Sequence, residues 1–568
     1  MIEALLTGIP ENFLIVFEIG VMIIIAAILA FIVRLFKQPL IPAYILTGIL
    51  IGPLFLGLIE NQELIFSLSE IGVAFLIFTA GLEINFRKLK QVGKVATLGG
   101  TLQIALMFAL GFFISLYLGF LGKAPLYIGL VVAFSSTMVV VKLLYDRKEI
   151  NSLHGRIIIG ILLIQDIAAI AALAILTTDL SLVSISIALG KALGFVVLAL
   201  ILSKAINPIF KRAARSPELL LLVAISFLFL FSIGAIMAQL SLVIGAFLAG
   251  VALANSDYKT EIEGKTSPIR NFFAVIFFVA LGMQLRLISG NFIVLLLILV
   301  LLAIIVKPLI LMFLIRIFGY SKRTAFFTGN SLAQTSEFSL VIATLGYTLG
   351  HISVGLFSTL ILLTIITMSL TTYYIGYERR FFSWFSWPLN IFNKFKTKKE
   401  ELEYSSEKHK KIIIFGCHRM GSLFLKDFQD SKKHVMVVDY NPEIIASLIN
   451  KKIPCVYGDF IDKEILEKTN IKNAEMIIST IPGIEDNLLL IKKINQLNVT
   501  VPVIVTANRI SEALELYDAG AEYVILPQII GAQRAFELLQ GVKNKKGALE
   551  SLKKNHIKYL NSIHRILY

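Results

Sequence analysis

The chain has 568 residues, 57% of them hydrophobic, with a mean hydropathy of +0.82 and a formal net charge of +15. It is too apolar for a soluble enzyme: apolar runs recur from Phe13 to Gly376, many of them long enough, at about 20 residues, to cross a hydrocarbon core about 30 Å thick. A basic balance of this size means either a nucleic-acid partner or Lys and Arg gathered on the cytoplasmic side of a membrane, and the apolar runs decide for the second, so no nucleic acid is expected.

In chain order, Met1 to Asn12 is acidic and lacks a basic leader region, so it is expected to be an uncleaved extracytoplasmic end. Spans are predicted near 13–33, 40–58, 64–84, 95–119, 125–145, 155–176, 181–205, 216–237, 240–254, 271–288, 291–316, 324–349 and 354–376. That makes about thirteen transmembrane helices. The pair 216–237 and 240–254 is separated only by Gln239 and its small neighbours. Charge tests the count. Alternate loops hold Arg34 and Lys37, the group from Arg87 to Lys94, the group from Lys142 to Arg156, Lys204 to Arg215, Lys259 to Arg270, and Arg316 to Arg323. The opposite loops hold little beyond Lys123 and Arg286. An imbalance of roughly twenty to two places the N-terminus outside and the C-terminus inside an inner membrane.

An ionisable side chain at mid-membrane costs about 2.5–3.5 kcal/mol on insertion scales and marks function by default. Asp166, Lys307 and Glu337 are such residues, with Lys191 a weaker fourth. Asp166 falls midway along the sixth span, beside Gln165. A lone buried carboxylate holds either a proton or a partly dehydrated monovalent cation, so it couples the two by competition; the ordinary alternative is a polar tie between helices. Lys307, followed by Pro308, reads as the counter-charge to Asp166 or as a snorkelling side chain. Two spans contain polar clusters, Ser135-Ser136-Thr137 in the fifth and Gln334-Thr335-Ser336-Glu337 in the twelfth. Paired interruptions in corresponding segments indicate inverted repeats with two broken, crossing helices whose freed backbone lines a mid-membrane ion site. Ser or Thr bonding back to its own helix is the ordinary alternative.

From Tyr377 to Lys399 aromatic residues, Trp384 and Trp387 among them, alternate with Arg and Lys, the pattern of an interfacial connector; 398–411 reads as linker. Strands are then predicted at 411–415, 434–438, 454–457, 476–479, 503–506 and 523–525 with helices between, a doubly wound parallel sheet. The first turn, Gly416-Cys417-His418-Arg419-Met420-Gly421, would set a phosphate at a helix N-terminus, and Asp439 follows the second strand at the spacing for ribose hydroxyls. His418 replaces the middle glycine of that motif and either crowds the ligand or contacts it. Cys417 and Cys455 are the only cysteines, with no metal or disulfide spacing. The expected domains are 1–378 in the membrane, 379–410 as connector and linker, 411–540 as Rossmann-type domain and 541–568 as a basic tail.

At these residues the sequence resembles the monovalent cation:proton antiporter-2 family, especially the glutathione-gated potassium efflux systems. The strings are 38–53 (QPLIPAYILTGILIGP), 70–84 (EIGVAFLIFTAGLEI), 133–140 (AFSSTMVV), 162–170 (LLIQDIAAI), 244–254, 277–283, 306–310 and 333–341, in family order. The resemblance implies a dimeric alternating-access transporter in which Asp166 carries the ion, and the Gln165–Asp166 pair looks like the potassium-type members. A single carboxylate has one charge to trade, so exchange of one cation for one proton is expected. Thr335-Ser336 stand where the family often has Arg-Gly, which leaves the role of Glu337 open. The C-terminal part resembles the potassium-conductance regulator domain. Its Gly-Asp turn at 456–460 would bring Asp459 to an adenine or ribose, Arg419 matches the usual Arg, and the implied ligand is an adenine nucleotide, AMP or NAD(H). The implied partners are K+ or Na+, H+, a second copy of the chain and the bilayer, with an ancillary regulatory subunit left open. A Na+/H+ antiporter of the same fold is the nearest alternative. A gated channel is disfavoured because Thr344-Leu345-Gly346-Tyr347 lacks a second glycine and is embedded in a span. A membrane-tethered dehydrogenase lacks a convincing base and pocket.

Overall fold

The computed structural model describes residues 11–378 except 37, 60–61, 84–94, 148, 151, 179–185, 188–189, 192–193, 196, 200, 203–206 and 255. It also describes 381–382, 403–404, and 411–542 except 418, 431–433, 440, 459–462, 482 and 498–500, with a few positions from 550 to 557. The chain divides into two compact units, one holding the apolar spans and the other the C-terminal domain.

The first unit is helical: α1 (Glu11–Leu35), α2 (Leu40–Ile51), α3 (Gln62–Glu83), α4 (Val95–Tyr117), α5 (Ala124–Ala133), α6 (Thr137–Asp146), α7 (Leu153–Leu176), α8 (Asn207–Ala213), α9 (Pro217–Met237), α10 (Leu242–Leu253), α11 (Lys259–Met283), α12 (Asn291–Ile317), α13 (Lys322–Ser331), α14 (Glu337–Thr348) and α15 (Val354–Gly376). Among the described residues nine helices are long and apolar enough to cross a membrane, counting Ala124–Asp146 as one, and α2 and α10 are shorter apolar helices. Twelve of the predicted spans find a helix or a broken helix; the seventh, 181–205, lies mostly outside the described residues. Gln239 adopts a left-handed φ of 61° between α9 and α10, so the narrow separator is a true turn.

Three boundaries differ from the sequence reading. The second span ends at Ile51, where Gly52 turns extended, and not at 58. The tenth begins at Lys259, so Lys259, Lys265 and Arg270 ride on a helix that a hydropathy window assigns to a loop. Glu403–Tyr404 forms a strand inside the segment read as linker. Trp384, Trp387 and most of the connector lie outside the described residues.

Helices cross closely where glycines face backbone. A Cβ on Gly48 would meet Val279 O at 2.0 Å, one on Gly282 would meet Ile45 O at 2.1 Å, and one on Gly250 would meet Phe78 O at 2.0 Å. Lipid tails are as apolar as Leu, so helices in a bilayer associate by close packing of such small residues. The contacts dock α11 on α2 and α10 on α3, and α3 and α11 each contribute residues to the site described below.

The C-terminal unit is an α/β sheet of β1 (Glu403–Tyr404), β2 (Ile412–Phe415), β3 (Val435–Asp439), β4 (Cys455–Tyr457), β5 (Met476–Ser479), β6 (Val503–Thr506) and β7 (Tyr523–Ile525), in the order β1-β4-β3-β2-β5-β6-β7. All pairs are parallel except β1 with β4. β2, β3 and β4 are buried along their whole length, as strands covered on both faces must be. The helices between them include α16 (Arg419–Asp430), which follows the glycine turn. The strand order reverses between β2 and β5, the topological switch point where open α/β sheets bind ligands.

Candidate functional site

The site is built from two interrupted helices. Residues 134–136 break the fifth span between α5 and α6, and residues 332–336 break the twelfth between α13 and α14. Each break frees backbone groups that cost several kcal/mol if left unpaired in lipid. Ser136 caps α6, its Oγ accepting from Val139 N at 3.3 Å, and Ser336 caps α14, accepting from Phe338 N at 3.1 Å. The breaks also satisfy each other. Ser135 Oγ donates to Leu332 O at 3.0 Å and Gln334 Nε2 to Ser136 O at 3.4 Å.

Lys307 is fully buried, and its Nζ donates to Phe134 O at 2.7 Å and to Gln334 O at 2.8 Å. One ammonium thus joins both breaks, near the C-terminal ends of α5 and α13 where the helix dipoles are negative. This corrects the expectation that Lys307 is the counter-charge of Asp166: its bonds go to carbonyls that only the broken backbone supplies. Gln165 likewise bonds the break and not the Asp166 carboxylate. Its Oε1 accepts from Ser135 N at 2.8 Å and its Nε2 donates to Gln103, whose own Nε2 reaches Ala133 O at 2.9 Å.

Asp166 lies on the other side of this scaffold. Both its oxygens accept from Thr137 Oγ1, at 2.9 and 3.1 Å, and it lines a cavity of about 30 Å³ with Thr137, Glu337, Glu83 and Arg270 among apolar side chains of α3, α6 and α14. That volume accommodates one or two water-sized bodies. Glu337 is 7% exposed; its Oε1 accepts from Met138 N at 3.4 Å, and Oε2 has no hydrogen-bond partner among the described residues. The structure therefore brings Asp166, Thr137 and Glu337 to the cavity and places Ser135, Ser136, Gln165 and Lys307 in its supporting frame. Lys191 is remote from it and donates to Gln239 Oε1 at 3.1 Å.

Sequence reasoning missed Gln103, Glu83, Arg270 and the threonines of α15. Thr335 Oγ1 bonds Thr364 and Thr367, and Thr371 Oγ1 donates to Ala333 O at 3.0 Å. The available signal was Thr364, Thr367 and Thr371 on one face of an apolar helix, and a lone amide in the fourth span.

In the C-terminal unit Gly416 has a φ of 84°, a region open to glycine, and a Cβ on Gly421 would meet Gly416 O at 2.0 Å. The turn and the start of α16 thus form a tight cradle that requires glycine at both positions. Asp439 is buried; its oxygens accept from Cys417 N at 2.6 Å and Asn441 N at 2.7 Å, so it holds the turn in place. Across the switch point Thr480 Oγ1 donates to Gly416 O at 2.9 Å. Burial, with Asp439 beside it, pushes the Cys417 thiol up to about 12, which leaves it unreactive. His418, Asp459 and the side chain of Arg419 lie outside the described residues.

Residues 21–376 match the family described as sodium/hydrogen exchanger, transmembrane, and residues 412–527 match the TrkA-N domain. The chain is similar to the protein YbaL of Escherichia coli (strain K12), 28% identical over 547 residues that make up 90% of this chain and 96% of that one. It is similar to K(+) efflux antiporter 6 of Arabidopsis thaliana, 36% identical over 319 residues, 54% of this chain and 53% of the plant protein. It is also similar to glutathione-regulated potassium-efflux system protein KefC of Salmonella arizonae, 26% identical over 522 residues, 90% of this chain and 81% of that one. The chain therefore spans nearly all of YbaL and about half of the plant relative. The sodium proton antiporter MjNhaP1 from Methanocaldococcus jannaschii shares the membrane fold, with a TM-score of 0.51 at 18% identity, covering 67% of this chain and 99% of that one.

Proposed function

Because the chain belongs to the sodium/hydrogen exchanger family and is a multi-pass cation/proton antiporter, we propose that it exchanges K+ for H+, one for one, on the carboxylate of Asp166. The observation that carries this reading is the cavity itself. It is narrow, walled by apolar side chains, and holds Asp166 with Thr137 and Glu337. A cation entering it loses water and gains two carboxylates and a hydroxyl. A proton gains the same oxygens. Both cannot be held at once, so each ion drives the other off. Lys307 and Gln165 keep the breaks rigid around this competition. Potassium is favoured over sodium by the names of the K+ efflux relatives, while the likeness to MjNhaP1 supports only the fold.

The orientation with the N-terminus outside is proposed from loop charge, the domain limits from composition and the strand and helix pattern, and a homodimer from the resemblance. We further propose that the cradle at Gly416 and Gly421 takes the phosphate of an adenine nucleotide, AMP or NAD(H), with Arg419, His418 and Asp459 as its remaining contacts and Asp439 positioning the turn. A ligand that binds only the folded protein stabilises it by about 2.7 kcal/mol at one hundred times its Kd. NADH or AMP should therefore raise the melting temperature of the full chain, and Arg419→Ala should remove that rise. No rise with either nucleotide overturns this regulatory reading.

The transport reading is tested in proteoliposomes by recording internal pH during K+ and Na+ steps. A K+ step should move protons with no accompanying current, a Na+ step should move fewer, and Asp166→Asn should move none. Proton movement that survives Asp166→Asn would reject the assigned carrier.

A further inference from the structure

A third carboxylate and a fixed positive charge stand at the same cavity. Glu83 is the last residue of α3, Arg270 lies midway along α11, and both line the space that holds Asp166 and Glu337. Arg270 Nη1 is 3.5 Å from Glu83 Oε1, the long end of an ion pair, with the acid side chain 41% and the base 12% exposed. The same guanidinium is anchored on its own helix, Nη2 donating to Ser267 Oγ at 2.9 Å and Nε to Asn271 Oδ1 at 3.3 Å. Arg270 thus keeps its position, with two neutral acceptors on its own helix, when Glu83 releases it. At this separation the pair is loosely held. A guanidinium does not lose its proton, so its charge is present at every working pH.

From this arrangement we propose that Arg270 is a built-in counter-cation. It neutralises Glu83 when the cavity is empty, and an incoming monovalent cation takes Glu83 from it on the way to Asp166. Glu83 is then the first docking point for the transported ion at the cavity mouth. Arg270 sets the apparent affinity by competing for that carboxylate and by repelling a second cation. The inference rests on the reading of Asp166 as carrier.

The test is the K+ dependence of proton exchange in proteoliposomes, read as K0.5 and Vmax. Arg270→Gln removes the competitor and should lower K0.5 by about three- to tenfold, and Glu83→Gln removes the docking point and should raise it by a similar factor. Vmax should stay within about twofold. Arg270→Lys keeps the charge but not the fork that bonds Ser267 and Asn271, so its K0.5 should fall between those of the parent and Arg270→Gln. Breaking the same pair from its two ends must therefore move K0.5 in opposite directions. If Glu83 and Arg270 merely tie α3 to α11, both variants shift K0.5 the same way or not at all, and the proposal is overturned. Should Arg270→Gln fail to fold, Glu83→Gln decides alone: a raised K0.5 supports the proposal, and an unchanged or lowered one overturns it. Asp166→Asn run in parallel separates the two readings, because exchange that persists there defeats the carrier assignment whatever Glu83 and Arg270 do.

Discussion

At the scale of the residue, a charge is judged by where its hydrogen bonds go. Asp166, Lys307 and Glu337 were legible in the sequence because an ionisable group inside an apolar run needs a reason. Their partners were not. Lys307 bonds Phe134 O and Gln334 O, and backbone carbonyls have no signature in a side-chain pattern. Replacing it by Met keeps the bulk and strands two buried carbonyls, each at about 1–3 kcal/mol. Lys307→Met should lower the melting temperature of the purified protein, and an unchanged value would remove Lys307 from the frame. A second residue-scale test concerns His351, in the loop between α14 and α15. Its Nε2 lies 2.9 Å from Lys123 Nζ and its Nδ1 2.7 Å from Tyr127 OH. An ammonium only donates, so Nε2 must accept and the ring is neutral in this arrangement. Burial and the Lys123 charge hold its pKa below the ordinary histidine value. The sign follows: the tie is whole above the ordinary histidine range, near 6.5, and is lost as pH falls through the lowered value. Stability measured against pH should drop on acidification through that window, and His351→Gln should flatten the slope. An equal slope in the variant contradicts this.

At the scale of the element, the two breaks and the glycine crossings decide whether a site exists. Paired polar clusters announced the breaks, since Ser and Thr favour caps over helix interiors. Helix ends were less legible. The polar first half of α11, with Glu261, Lys265 and Arg270, averages away in any hydropathy window, which is why Arg270 was assigned to a loop. Gly250 offers the clearest element-scale prediction. A Cβ there would sit 2.0 Å from Phe78 O, so Gly250→Val must separate α10 from α3, the helix that ends in Glu83. The variant should fail to give a monodisperse protein on size-exclusion chromatography. Gly264→Ala, which meets nothing within 4 Å, should elute like the parent and gain up to about 1 kcal/mol from helix propensity. A folded Gly250→Val protein would show that this crossing is dispensable.

At the scale of the whole molecule, composition alone separated an apolar part from a water-facing α/β part, and each obeys its own solvent. The six predicted strands all appear, because runs such as Ile412–Phe415 and Val435–Asp439 are buried on both faces and read as unbroken apolar strings. The strand Glu403–Tyr404 escaped notice because two polar residues carry no period. In the membrane part the central claim is competition between H+ and a metal ion for one carboxylate. It is tested most directly by the pH dependence of the K+ K0.5 for exchange. If the proton occupies the same oxygens of Asp166, K0.5 rises by about tenfold for each unit of acidification below the titration of that group, with Vmax unchanged. A K0.5 that stays constant while Vmax alone falls would mean that H+ and K+ use separate places, and competition at Asp166 could not be the coupling mechanism.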